Sequence, residues 1–260
     1  MRINYTGFGE YLVHLADTAL VLGHRNSEWT GHGPVLEQDI ALSNIALDLI
    51  GQCRNLYQYA SQILGPYNTD NIDEDRLAYF RDSREFRNLI MVELPNGHWG
   101  QTVLRQLFIS AWQHGLYSKL VTCNDKKLAG IAEKSLKEVS YHLRWSSEWV
   151  IRLGDGTELS HNKMKNAMEE LWQFTGELFT PVSYEAEIAS ELGFDCRDLE
   201  KNWQQKISYV LAEATLLEFG SMPADVWMQE GGKLGVHTEH LGYLLAEMQS
   251  VQRAYPGCEW

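Results

Sequence analysis

The chain has 260 residues, 44% of them hydrophobic, with 35 acidic against 22 basic and a formal net charge of −13. A surface of that sign repels phosphate backbones and anionic lipid, which argues against nucleic acid and membrane surfaces as partners. No apolar run reaches the roughly 18 residues that a membrane span requires, and the N-terminus lacks the features of a signal peptide. The four cysteines, Cys53, Cys123, Cys196 and Cys258, form no CxxC pair, a pattern that fits reduced thiols in a cytoplasmic protein.

Taken in chain order, a helix is expected over about 8–26, then one from Val35 to Leu64, a stretch of thirty residues without proline. Within it, IALSNIALDLI is apolar on most sides, as in a central, buried helix. Further helices are expected over 76–94, 99–122, 126–153, 160–179, 197–218 and 237–254. Asp125, Ser160 and Asp195 are candidate N-caps, and Phe194 and Leu199 are spaced as a hydrophobic staple around the last of these. Gly154-Asp155-Gly156-Thr157 reads as a turn. No alternation of apolar and polar residues bounded by hairpin turns occurs, so the fold class is all-α. The long helices form a bundle with shorter C-terminal helices on it, in one domain over 1–260.

Bundles that hold two metal ions take a carboxylate from each of two helices and a Glu-x-x-His from each of two others. Only Glu158 and His161 have that spacing, and they straddle a turn and a helix start. Mid-helix, LKEVSYHLRW carries Glu138 and His142 one residue too far apart. On a helix the third residue lies about 60° to one side of Glu138 and the fourth about 40° to the other. Tyr141 therefore occupies the direction a ligating His would take. The expected helix 76–94 offers Glu85-x-x-Asn88, whose amide is a weak iron ligand. Helix 35–64 offers the polar stripe Asn44, Asp48, Gln52 and Asn55, and helix 99–122 offers Ser110, Gln113 and His114. Asp48, Glu85, Asn88, Glu138, Tyr141 and His142 are thus expected to form a buried polar cluster, a vestige of a metal site without a ligand set, supported by hydrogen bonds and by Arg84, Arg87, Lys137 or Arg144 nearby. Glu10 and His14 repeat the i, i+4 spacing and are expected on a solvated face.

The second distinctive tract is QEGGKLGVHTEHLGYLLAEMQSVQR, residues 229–253. Its glycines permit close backbone approach, and Lys233 before a helix start suits an anion. Lys233, His237, Glu239 and His240 are therefore candidates for an anion or partner contact. The alternative is a connecting loop, with the His237/His240 pair as a minor metal candidate.

Four stretches, GHRNSEWTGHGPVLEQDIALSNIALDLIGQCRN, RDSREFRNLIMVELPNGHWGQTVLRQLFISAWQ, KSLKEVSYHLRWSSEWVIRLGDGT and GGKLGVHTEHLGYLLAEMQSVQR, together span residues 23–253. They resemble the PaaC family, the small structural subunits of phenylacetyl-CoA epoxidase (phenylacetate-CoA oxygenase). The resemblance implies a ferritin-like fold and a non-catalytic role beside a related catalytic subunit, with which a PaaC chain forms a heterodimer that doubles to a heterotetramer. The catalytic partner would hold the di-iron centre, and a reductase with flavin and iron–sulfur groups would draw on NADPH. The complex turns phenylacetyl-CoA into its ring-1,2-epoxide, and this chain would carry no cofactor. The other reading is a metal-dependent oxidoreductase using Asp48, Glu85, Glu138 and His142. A further expectation places Lys233 against coenzyme A phosphates.

Overall fold

The computed structural model describes residues 3–69, 71–193, 196–216 and 227–258. These residues form eleven α-helices and no strand: α1 (Gly7–Ser27), α2 (Leu36–Leu64), α3 (Glu74–Tyr79), α4 (Ile90–Glu93), α5 (Trp99–Leu120), α6 (Lys126–Gly154), α7 (Glu158–Trp172), α8 (Ser183–Leu192), α9 (Cys196–Glu213), α10 (Glu239–Met248) and α11 (Ser250–Ala254). The four long helices make a ferritin-like bundle: α1 runs along α2, α5 along α6, and α2 meets α6. Helices α7 and α9 cover α5 and α6, while α8 lies on α1.

Local chemistry explains several helix ends. Thr6 accepts a hydrogen bond from the Gly9 amide to start α1, and Asp125 accepts from Leu128 to start α6. Each satisfies an amide that has no partner within the helix. Thr157 caps α7, with the expected cap Ser160 three residues inside it and returning the bond. Val35 is the cap residue of α2. Asp195 and Phe194 lie outside the described residues.

Helix α2 is not the central helix. Leu36, Ile40, Leu47 and Ile50 are exposed, whereas α1 and α5 are buried on nearly every side. The high apolar content of α2 serves two faces, one turned inward and one outward. Periodicity is judged from composition around a helix and does not show which apolar side meets the core.

The continuous helix expected over 76–94 is also absent. Helix α3 ends at Tyr79, a single 3-10 turn occupies Ser83–Glu85, and the chain is extended from Phe86 to Leu89 before the short α4. The backbone here bonds to side chains of other elements and not to its own fourth neighbour. Asp17 accepts from the Arg87 amide at 2.7 Å, Thr18 from Leu89 at 3.3 Å and Glu177 from Ile90 at 2.7 Å. The Arg87 carbonyl lies 2.6 Å from His14 Nδ1. Buried backbone groups need partners, and here tertiary ones displace the helical ones. Helix α8 went unforeseen, 160–179 stops being α-helical at Trp172, α9 ends at Glu213, and 237–254 is two helices.

Candidate functional site

At mid-height in the bundle, Asp48 of α2 lies 3.0 Å from Nε2 of His142 on α6, through its Oδ2. A carboxylate oxygen accepts, so Nε2 carries the proton, and Nδ1 is buried with no partner among the described residues. One turn away, Gln52 donates from Nε2 to Glu138 Oε2 at 3.0 Å, and the Tyr117 hydroxyl of α5 donates to Gln52 Oε1 at 3.4 Å. Burial, with the Glu138 charge adding to it, raises the Tyr117 pKa. Glu138 and His142 therefore take separate partners on α2 and do not converge on one point. Nearby, Asn26 donates to Gln106 Oε1 at 2.8 Å, and Gln106 to Ser110 at 2.9 Å.

Tyr141 points outward, 38% exposed, with the Arg144 guanidinium over its ring. Glu85 and Asn88 do not join this cluster. Glu85 Oε2 accepts from the Asp82 amide in the 3-10 turn, and Asn88 Nδ2 donates to Glu93 and to the Leu89 carbonyl. Among the described residues no group of three or more His, Cys, Asp or Glu is placed to hold a metal ion. Glu158 is exposed, and His161 Nδ1 faces the Gly154 carbonyl at 2.7 Å. A di-metal centre does not fit these side chains.

The denser polar site lies on the opposite flank, where 80–98 crosses α1. Asp17, fully buried, receives two guanidinium bonds from Arg81, the Tyr57 hydroxyl and the Arg87 amide. Burial opposes the Arg81 charge, yet Asp17, Tyr57 and Tyr5 hold its pKa well above the ordinary arginine value. Arg87 Nε donates to Glu10 at 2.7 Å, so Glu10 is paired, and His14 is buried, not solvated. With Nδ1 donating to a carbonyl, His14 presents a bare Nε2 at 3.5 Å from Glu185 Oε1. Burial pushes the His14 pKa down, with Glu185 only partly offsetting it.

The glycine-rich loop completes this flank. Lys233 is 2% exposed and donates to both Glu185 oxygens, at 2.9 and 3.2 Å, and to the Thr180 carbonyl. It is consumed internally, which removes it from any coenzyme A phosphate or other external anion. His237 sits between Glu93 Oε2 at 2.8 Å and the Phe86 carbonyl at 3.1 Å. Glu93 also accepts from the Thr238 amide at 2.6 Å. Both ring nitrogens of His237 are thus engaged within the chain, while Glu239 is exposed in the first turn of α10 and His240 is half-buried. Glu177 accepts from the amides of Ile90, Gly231 and Gly232. Burial raises its pKa, against the pull of those amides and Lys233. The close approach implied by the glycines is real, but the surface approached is this chain's own. A Cβ on Gly232 would stand 2.2 Å from the Asn88 carbonyl oxygen, and one on Gly235 (φ +80°) 2.2 Å from that of Arg84.

Asp17, Tyr57, Arg81, Glu93, Glu177 and Glu185 escaped sequence reasoning. One signal was available: Asp17 is an acid inside the apolar run HLADTALVL, and a charge there needs a buried partner.

A family model described as phenylacetic acid catabolic protein matches residues 4–260. The chain belongs to that family. It is also 45% identical over 251 residues to the C subunit of the 1,2-phenylacetyl-CoA epoxidase of Escherichia coli (strain K12), an alignment that covers 96% of this chain and 98% of the relative. The resemblance seen in residues 23–253 therefore extends over nearly the whole chain. A relative named as one subunit implies an assembly of several. No helix among the described residues is long and apolar enough to cross a membrane.

Proposed function

We propose that this chain is a non-catalytic structural subunit of a multicomponent di-iron epoxidase that converts phenylacetyl-CoA to its ring-1,2-epoxide. In this reading it pairs with the catalytic di-iron subunit in a heterodimer that doubles, and acts in the cytoplasm. The iron belongs to the catalytic partner, and NADPH, flavin and iron–sulfur groups to a reductase. The observation that carries the reading is the way the bundle's mid-height polar groups are used. Asp48 and His142 serve each other, Glu138 serves Gln52, and the groups sit on separate turns with no third ligand at either among the described residues. Such a bundle offers a rigid surface and no ligand set, and half a set binds metal poorly. The 45% identity to the C subunit of a phenylacetyl-CoA epoxidase supports the choice of complex.

The test is co-expression of the catalytic partner with and without this chain. Soluble, active epoxidase that forms only with it supports the proposal, and a catalytic partner equally soluble and active by itself refutes it. Metal analysis of the purified chain separates the oxidoreductase alternative. Near-stoichiometric iron that disappears in Glu138→Ala would assign chemistry to this bundle instead.

A further inference from the structure

Glu185 on α8 stands between two basic side chains and pairs with one of them. Lys233 donates to both of its oxygens, at 2.9 and 3.2 Å. From the other side the bare Nε2 of His14 faces Oε1 at 3.5 Å, with no hydrogen between the two. None of the three side chains is more than 5% exposed. A buried carboxylate requires a cationic partner. A protonated His14 would be such a partner, because Nε2–H then donates to Oε1 while Nδ1 keeps its bond to the Arg87 carbonyl.

The other groups around His14 are already engaged or uncharged. Along α1, Asp17 is held by Arg81, and Glu10 is paired with the Arg87 guanidinium. Helix α5 presents the Trp112 ring at 6.1 Å, and α8 presents the Tyr184 ring at 6.3 Å. Burial holds the His14 pKa down, Glu185 raises it and Lys233 lowers it again. The arrangement with Lys233 inside therefore keeps His14 neutral, and one with Lys233 outside favours its proton.

Lys233 is placed to leave. It belongs to a loop with Gly231 and Gly235 at positive φ, and its neighbour Leu234 is exposed. An ammonium on a flexible four-carbon stem is strongly hydrated once in solvent. The loop is otherwise fixed by the Gly231 and Gly232 amides on Glu177 and by the Tyr184 hydroxyl, which donates to the Lys233 carbonyl at 3.1 Å.

We propose that His14, Glu185 and Lys233 form an acid-sensitive lock on the loop 231–235. At neutral pH Lys233 holds Glu185 and the loop is closed. Below about pH 6.5 a proton from solvent binds His14 Nε2, Glu185 turns to the new imidazolium, and Lys233 swings out with its loop. Glu185 is ion-paired in both states, so neither state leaves its charge buried alone. The closed state disfavours the His14 proton, so the opening constant gains up to about tenfold per pH unit as the pH falls. The inference goes beyond the proposed function and does not depend on it.

The test follows hydrogen exchange of the full-length chain at about pH 7.5 and about pH 5.5, corrected for the pH dependence of the chemical step. The amides of Gly231, Gly232 and Val236 are hydrogen-bonded in the closed loop. On acidification they are expected to lose protection about tenfold or more, while α1 and α5 keep theirs. His14→Gln has no proton to take up and keeps its loop protected at both pH values. Glu177 is the second acid-sensitive group here, since burial raises its pKa. Glu177→Gln keeps an acceptor for the two glycine amides, and its loop is expected to open as in wild type. In the wild-type chain, nitrogen NMR of the His14 ring over the same range supplies a readout that needs no variant. Loop protection that does not change with pH overturns the proposal, as does a loss shared equally by α1 and α5. A loss that persists in His14→Gln, or that disappears in Glu177→Gln, overturns it as well. So does a His14 ring that titrates with a midpoint different from that of loop exposure.

Discussion

Replacing Asp17 by Asn tests whether the flank of α1 holds the non-helical segment in place. The change keeps the side chain's size and removes its charge. It leaves Arg81, 1% exposed, with no carboxylate for a guanidinium that Asp17 now engages twice. Breaking a buried ion pair from one side costs about 3–5 kcal/mol, because the remaining charge is uncompensated. The new amide also presents donors where the Tyr57 hydroxyl and the Arg87 amide donate. In a chain of this size each kcal/mol lowers the melting temperature by about 2–4 °C, so a fall of roughly 10–15 °C is expected. Thermal melts followed by circular dichroism, with urea titration to obtain the free energy, measure it. The exposed pair Lys137–Glu133 supplies the control: Lys137→Ala should cost under about 0.5 kcal/mol. If Asp17→Asn melts within about 2 °C of wild type, less than the shift of a single kcal/mol, the buried cluster does not hold this flank and the reasoning fails.

Other substitutions probe the same flank. Gly232→Ala should cost about 1–3 kcal/mol, since the new methyl meets the Asn88 carbonyl oxygen and both backbones must part; a neutral urea midpoint would show the loop free to move. Lys233→Met removes the partner of buried Glu185 and should destabilise by about 3–5 kcal/mol, while coenzyme A binding measured by calorimetry stays unchanged; a lost affinity for coenzyme A would return Lys233 to the phosphate role. Stability should also fall on acidification. Burial holds His14 below its ordinary pKa, so the unfolded chain binds the proton first as pH drops below about 6.5. His14 then favours the fold fully above that pH and progressively less below it. In His14→Gln the slope of unfolding free energy between about pH 6.5 and 5 should be shallower by up to one proton, and an unchanged slope would rule out a neutral buried imidazole.

What could be read in the sequence was local, and what could not was set by contacts across tens of residues. Asp125 marked the start of α6, and the i, i+4 separation set the Glu138 and His142 side chains off the geometry of a Glu-x-x-His pair. Both statements need only helix geometry. The stretch 76–94 has neither proline nor glycine, so its composition reads as helix. Its extended course is imposed by acceptors and donors at His14, Asp17, Thr18 and Glu177, lying as far as 87 residues away. Gly232 and Gly235 announced a close approach without naming its surface, because a glycine records the space it leaves and not the group that fills it. The same limit explains Lys233. A lysine among glycines ahead of a helix has the composition of an anion site, and only the position of Glu185 on the unforeseen α8 shows that its charge is already neutralised. The two polar systems then divide the molecule. The mid-height pairs Asp48–His142 and Gln52–Glu138 tie α2 to α6 across the bundle. The network from Asp17 to His237 fixes the crossing segment and the C-terminal loop against α1. The bundle is thus braced on both flanks by its own side chains.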